Sequence, residues 1–258
     1  MKKALAVLMA AVFCMCSMVG CSQKKQVTIE TAEDLNGLKV GVQGGTTGET
    51  WVKENCPDTE IASFKSGMDA ALDLKNGGVD AVVIDELPAS QIVAQNSDLK
   101  ILDIRFTKEE YAIAIRKGDT ELQSAINAAI ADMKTSGEYD KLLAAFMPAD
   151  GEVKIPDEYV SDGSETIKMG TNAAFWPFEY TEGNQIVGFD ISMSQYVAQH
   201  MGKKLEVVNM DFDALIGAMQ AGSIDFIAAG MSVTPERLEN VDFSDPYYES
   251  EQVIIVRK

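Results

Sequence analysis

Basic residues are scarce in this chain: 22 Lys and Arg stand against 40 Asp and Glu, a formal net charge of −18. Such a surface repels phosphate backbones and anionic headgroups, which sets nucleic acid aside as a partner. Histidine is scarcer still. With His200 alone there is no Cys/His zinc cluster, and neither a metal nor a cofactor is expected. The loop Gly44-Gly45-Thr46-Thr47-Gly48 lacks the Lys-Ser/Thr of a nucleotide-binding phosphate loop, so ATP is not suggested. The apolar run from Ala4 to Val19 falls short of the ~20 residues a membrane-spanning helix needs. What remains is 46% hydrophobic and 24% charged over 258 residues, enough for one large domain or two small lobes.

The N-terminus is the most explicit stretch. Lys2 and Lys3 precede the apolar run, which closes on Met18-Val19-Gly20-Cys21, the pattern of a secretory signal. Cys21 resembles the cysteine of a bacterial lipobox, which implies cleavage before it and a lipid on its sulfur. Residues 1–20 are then a signal peptide and 21–29 a lipidated cysteine with a polar tether. Each buried acyl CH₂ contributes about 0.8 kcal/mol, so two chains hold a protein durably at a membrane. The expected location is outside the cytoplasm, anchored to the outer face of the cytoplasmic membrane or on the periplasmic side. Cys14 and Cys16 leave with the leader, so Cys56 is the one free thiol and no intramolecular disulfide is possible in the mature chain.

The remainder alternates short apolar runs with helical patterns, as strand–helix units do, and it repeats itself. Leu38 to Val42 and Ile167 to Thr171 are brief strand-like runs, each followed by a loop of small residues. Leu74-Lys75-Asn76-Gly77-Gly78-Val79-Asp80-Ala81 matches Met219-Gln220-Ala221-Gly222-Ser223-Ile224-Asp225-Phe226: a helix stops at glycine and an aliphatic strand begins. The strands Val79–Ile84 and Ile224–Ala229 are near-continuous apolar runs of the kind buried on both faces of a parallel sheet. Helical spacing joins Leu122, Ile126, Ala129, Ile130 and Met133, and after Gly137 it continues through Tyr139, Leu142, Leu143 and Phe146. Residues 147–165, with two prolines, glycines and acids, read as a linker.

Several motifs together resemble the polar amino-acid-binding solute receptors of bacterial ABC importers. They are Gly170-Thr-Asn-Ala-Ala-Phe-Trp-Pro-Phe-Glu-Tyr180, Gly188-Phe-Asp190, Met210-Asp-Phe-Asp213, Ala229-Gly-Met-Ser-Val-Thr-Pro-Glu-Arg237 and Val241-Asp-Phe-Ser-Asp-Pro-Tyr-Tyr248 for a first lobe. Val40-Gly-Val-Gln-Gly-Gly-Thr-Thr-Gly-Glu49 and Asp80-Ala-Val-Val-Ile-Asp85 match the second. The resemblance implies an α/β, two-lobed periplasmic-binding-protein-like fold, each lobe a mostly parallel sheet flanked by helices, with the ligand in the inter-lobe cleft. The order of the two motif sets is reversed here, which reads as a circular permutation. Residues 30–104 form the second, small lobe; 105–146 return through the hinge and pack helices on the first lobe; 147–165 are the permutation linker; 166–258 form the first, large lobe. On this reading the termini, near Val27 and Lys258, lie by the hinge, one crossover is opened, and the stretch Ile101 to Tyr111 is the main tie. A monomer is expected. The competing reading is a fragment of a tandem chain that pairs with a second copy.

A zwitterionic amino acid needs a cation or N–H donors for its carboxylate, an anion for its ammonium, and a pocket for its side chain. The resemblance gives these roles to particular residues. Arg237 clamps the carboxylate through two parallel hydrogen bonds, which lysine cannot reproduce. Thr47, in the glycine-rich loop leading into a helix, adds a hydroxyl and a backbone N–H. Ser232 and the backbone at Ala229 and Gly230 face it from the other lobe. Asp85, ending a buried strand, pairs with the ammonium, at the carboxyl end where open sheets bind ligands. Phe175 and Phe212 sandwich the apolar part of the ligand's side chain, and Asn172 and Gln43 address a polar tip. That pocket suits a polar amino acid, uncharged or mildly basic. The implied partner is an ABC transporter permease, and no enzyme activity is expected. Two alternatives stay open. One is an enzyme on the same fold, such as a cyclic-acid dehydratase, which would need a general acid or base in the cleft; His200 sits on an expected helix (Ile191–Met201), leaving Glu86 and Glu179. The other is a sensory module acting through a partner.

Overall fold

The computed structural model describes residues 28–148 and 152–258. The leader, Cys21 and its tether up to Val27 lie outside the described residues. Among the described residues no helix is long and apolar enough to cross a membrane.

The chain opens with strand–helix units whose boundaries follow local chemistry. β1 (Lys39–Gln43) leads to α1 (Thr47–Asn55), β2 (Glu60–Phe64), α2 (Gly67–Asn76), β3 (Ala81–Asp85), α3 (Glu86–Gln95) and β4 (Leu99–Arg105). The Thr46 hydroxyl accepts from the Glu49 N–H, and Ser66 accepts from Asp69, so each helix starts on a side-chain cap worth ~1 kcal/mol. α2 stops where Gly77 turns left-handed at φ 83°. The chain then crosses to the other lobe through β5 (Glu109–Tyr111) and β6 (Ala114–Arg116) and lays down α4 (Thr120–Ser136) and α5 (Glu138–Phe146). After the linker come β7 (Thr166–Thr171), β8 (Ala174–Phe175), β9 (Glu179–Glu182), β10 (Gln185–Val187), α6 (Phe189–His200), β11 (Lys204–Asn209) and α7 (Leu215–Gln220). β12 (Phe226–Ile227), α8 (Pro235–Leu238), β13 (Val241–Phe243), β14 (Tyr248–Ser250) and β15 (Gln252–Arg257) complete it.

Two five-stranded sheets result, ordered β2-β1-β3-β15-β4 and β11-β7-β12-β6-β13. In each, the first three strands are parallel and the last two positions are joined antiparallel. The lobes therefore share one topology, as the internal repeat suggests. Alternate residues of one strand face opposite layers: Val83 and Ile254 join one core, while Val82, Ile84, Val253 and Ile255 join the core that continues into the large lobe. Full burial of each such side chain contributes ~1.5–3 kcal/mol.

Four expectations are corrected here. β15 does not belong to the large lobe; it lies between β3 and β4, so the large-lobe span expected to reach 258 ends near Ser250. The run Val253–Val256 is apolar enough for either sheet, and it pairs where a central gap is open. Neither crossover is opened: residues 105–109 and 250–252 both run between the lobes, and β5 pairs antiparallel with β14 beside them. Lys258 does not sit at the hinge, since its N–H bonds Asp98 O at the far end of β15, whereas Gln252 at the near end pairs with Asp85. The strand expected over Ile224–Ala229 is cut to Phe226–Ile227 because the chain turns at Gly230 (φ 53°) to face the cleft.

Gly188 fixes how α6 enters. Its φ is 138°, and a Cβ there would stand 2.1 Å from the Phe178 carbonyl oxygen. The following N–H groups dock on that turn, Phe189 on Pro177 O (3.0 Å) and Asp190 on Phe178 O (2.9 Å). Gly188→Ala is therefore expected to lower unfolding stability in urea by about 2–3 kcal/mol, through strain and lost docking. An unchanged midpoint would show that the turn relaxes freely.

Candidate functional site

The carboxyl ends of β1, β3, β7 and β12 converge on one small cavity between the lobes. Every residue assigned to the ligand from the sequence lines it: Gln43, Thr47 and Asp85 from the small lobe, and Asn172, Phe175, Phe212, Ala229, Gly230, Ser232 and Arg237 from the large. Thr46 and Glu179 join them.

Arg237 is the cationic wall. Thr234 caps α8 by accepting from the Arg237 N–H (3.2 Å), with Pro235 preset for the first turn, and this directs the arginine inward. The side chain is buried. Nη1 donates to Ser232 O at 2.7 Å and Nη2 reaches across the cleft to Gly45 O at 3.0 Å. The guanidinium also lies 5.4 Å from the Phe212 ring centre, so Phe212 supports the cation rather than one side of a sandwich. Burial pulls the Arg237 pKa below its ordinary value, and the charges of Glu109 and Asp85 oppose that.

Asp85 is the anionic wall. It ends β3 and is buried, taking hydrogen bonds from the Tyr111 hydroxyl and from Ser250 Oγ (3.2 Å), residues of the two hinge strands. Burial, and then the nearby charge of Glu109, push its carboxyl up to about 7, against the pull of those hydroxyls.

A second pair of carboxyls lies beneath. Glu179 is fully buried and lines the cavity, yet neither of its oxygens has a donor among the described residues; Asp190 Oδ1 is in the same position. Asp190 Oδ2 accepts from Gly230 N–H (2.9 Å) and the Tyr247 hydroxyl (2.7 Å). Burial and the Asp190 charge hold Glu179 well above the usual carboxylate range, while burial raises Asp190 to about 6. Adjacent like charges disfavour double ionisation, and one proton held between the two engages one oxygen of each, leaving one Glu179 oxygen without a donor. The pair then carries one negative charge behind the cavity. Asp190 also pins the Gly230 turn, where a Cβ would stand 2.6 Å from the Phe175 ring, so only glycine leaves that wall open.

Phe175 stacks on Phe178, its ring 5.8 Å away, and presents one apolar wall. Gln43 Nε2 donates to Asn172 Oδ1 at 3.0 Å, so these two address each other across the cleft and leave the Asn172 amide to hold Met210 O (2.8 Å). Outside the cavity, Lys65 and Asp211 form a further bridge between the lobes at 2.8 Å, exposed and of small energetic weight.

Sequence reasoning missed Glu109 and Tyr111 and left Glu179 without a role. Glu109 sits on β5, buried. Its Oε2 accepts from Thr47 Oγ1 (2.8 Å) of the small lobe and from Ser232 Oγ of the large one, and Oε1 accepts from Thr107 Oγ1 at 3.1 Å. Its neighbours in sequence are charged and give no signal; the three hydroxyls meet only in the fold. Glu86 pairs with Arg105 on the exposed surface (2.6 Å), which removes it from the cleft.

A family model described as bacterial extracellular solute-binding proteins, family 3, matches residues 23–149 and 167–258. The arginine-binding extracellular protein ArtP of Bacillus subtilis (strain 168) is 44% identical over 96 residues, 37% of this chain and 38% of the relative. The L-cystine-binding protein TcyJ of Escherichia coli (strain K12) is 36% identical over 124 residues, 48% of this chain and 47% of that one. Among solved structures, an ancestral arginine-binding protein bound to arginine is 48% identical over 32% of this chain and 37% of its own, with a TM-score of 0.32. In the alignments to these two curated relatives, the chain spans less than half of their length. The family model, in contrast, covers most of the chain in two blocks flanking the linker, and the chain belongs to the bacterial extracellular solute-binding proteins of family 3.

Proposed function

We propose that this protein is an exported, lipid-anchored receptor that closes two lobes around a free amino acid and delivers it to an ABC transporter permease. The observation that carries the reading is the single cavity walled by a buried guanidinium, Arg237, from one lobe and a buried carboxyl, Asp85, from the other. Those are the complements of a zwitterion's two ends, and lobe closure brings them to one ligand. The N-terminal lipobox supports the anchor, and walls of opposite charge facing each other across the cleft support a role in binding.

Within the polar amino acids, the Glu179 oxygen left without a donor and the negative charge it shares with Asp190 favour a basic side chain. Relatives with arginine and histidine in their names fit that preference, while the cystine-binding relative lies outside it. The chain order is, in our reading, a circular permutation: two matched blocks flank the 150–166 gap, and β15 from the later block completes the sheet of the earlier one.

A thermal-shift screen over the common amino acids tests the reading. A ligand at a hundred times its Kd adds about 2.7 kcal/mol to native stability, or about 5–10 °C in Tm for a chain of this size. Arginine, lysine or histidine should give the largest shift. No shift with any amino acid would overturn the function.

A further inference from the structure

Glu109 holds the hydrogens that a ligand's carboxylate needs. Arg237 is the cation of the cavity, so a carboxylate entering the cleft goes to it. Ser232, whose carbonyl already accepts from Arg237 Nη1 (2.7 Å), and Thr47, opposite, carry the hydroxyls that line the same wall. Each hydroxyl has one hydrogen, and both are given to Glu109 Oε2. While they are, the two hydroxyls show only lone pairs to an incoming anion, and a second carboxylate beside Glu109 meets a like charge.

Glu109 also has somewhere to go. Its outer side borders a wide groove that spans both lobes, and Thr47, Ser232 and Arg237 line that groove as well as the inner cavity. The side chain therefore stands in the wall between the closed cavity and an open, solvent-facing channel, on a hinge strand paired with β14.

We propose that Glu109 is a built-in competitor of the ligand's carboxylate: it clasps the two lobes by taking the Thr47 and Ser232 hydroxyl hydrogens, and yields them when an amino acid binds. This makes Glu109 a positioning residue that sets both the resting closure of the lobes and the cleft's selectivity for a carboxylate. The proposal rests on the amino-acid reading for its ligand arm, but not for its clasp.

Glu109→Gln keeps size and shape and removes the charge. In ligand-free protein, spin labels on opposite lobes should report a distribution shifted to longer distances in Glu109→Gln than in the parent. L-arginine and its carboxylate-free counterpart agmatine then separate the roles by calorimetry. Like-charge conflict is relieved only for the ligand that brings a carboxylate, so the arginine-to-agmatine affinity ratio should rise about tenfold in the variant. An unchanged inter-lobe distance overturns the clasp, and a parallel change for both ligands overturns the competition. A parent indifferent to every amino acid would sink the transport reading alone, with the ligand-free distances still deciding the clasp. Ser232→Ala, which removes one of the two donors, should move the distances in the same direction as Glu109→Gln; no movement counts against the clasp.

Discussion

Arg237→Ala is expected to weaken amino-acid binding about a hundredfold in titration calorimetry, with Arg237→Lys recovering little of the loss. The guanidinium is buried, supported by the Phe212 ring, and spends two of its donors on Ser232 O and Gly45 O. The remaining N–H groups are set in a plane, which suits the paired oxygens of a carboxylate. Truncating one partner of a buried, hydrogen-bonded charge pair costs about 2–5 kcal/mol, and about 1.4 kcal/mol is a tenfold change in Kd. Lysine keeps the charge as a point and loses the fork. Since Arg237 also reaches Gly45 across the cleft, the ligand-free unfolding midpoint of each variant separates lost closure from lost binding. Parent-like affinity in both variants would remove Arg237 from the site.

For Asp85 the expected signature is a pH dependence. With its carboxyl raised to about 7, Asp85 is largely protonated at pH 6 and cannot then neutralise a ligand ammonium. The ammonium favours the ionised form, so the complex holds the carboxyl lower than the free protein does, and binding releases a proton below pH 7. Affinity should thus be full above pH 7 and fall as pH drops through it, approaching about tenfold per unit. Asp85→Asn should bind about a hundredfold more weakly at pH 8 and lose most of this slope. Asp190, raised only to about 6, titrates below Asp85, and any slope remaining in Asp85→Asn measures the Asp190–Glu179 pair. Calorimetry at pH 6 in two buffers of different ionisation heat reads the released proton directly. A flat parent profile would mean that Asp85 does not meet the ammonium.

Much of this site is written locally. Asp85 ends a buried run, Thr46 and Thr47 follow glycines into a capped helix, and Pro235 and Thr234 set the turn that aims Arg237. Buried runs and caps are read over a few residues, so the strands and most of the lining were accessible to inspection. Glu109 was not, because its meaning comes from hydroxyls 62 and 123 positions away, while one more acid among 40 looks like ordinary surface. The home of β15 was hidden for a related reason. An apolar strand declares that it is buried, not against which neighbours, and partner choice is settled by whichever sheet lacks a central strand. The hinge strands, three residues each and bearing acids, carry too little periodicity to be seen at all.

The place of β15 in its sheet also governs the order in which the molecule can be made. Synthesis delivers β1 to β4 early, but the strand that must lie between β3 and β4 arrives only after the whole large lobe has been threaded. The nascent small lobe therefore waits with two unpaired strand edges facing each other across a gap, a state that invites wrong partners. Under the export proposed above, that delay is an advantage: the chain cannot lock into its finished shape before β15 is through.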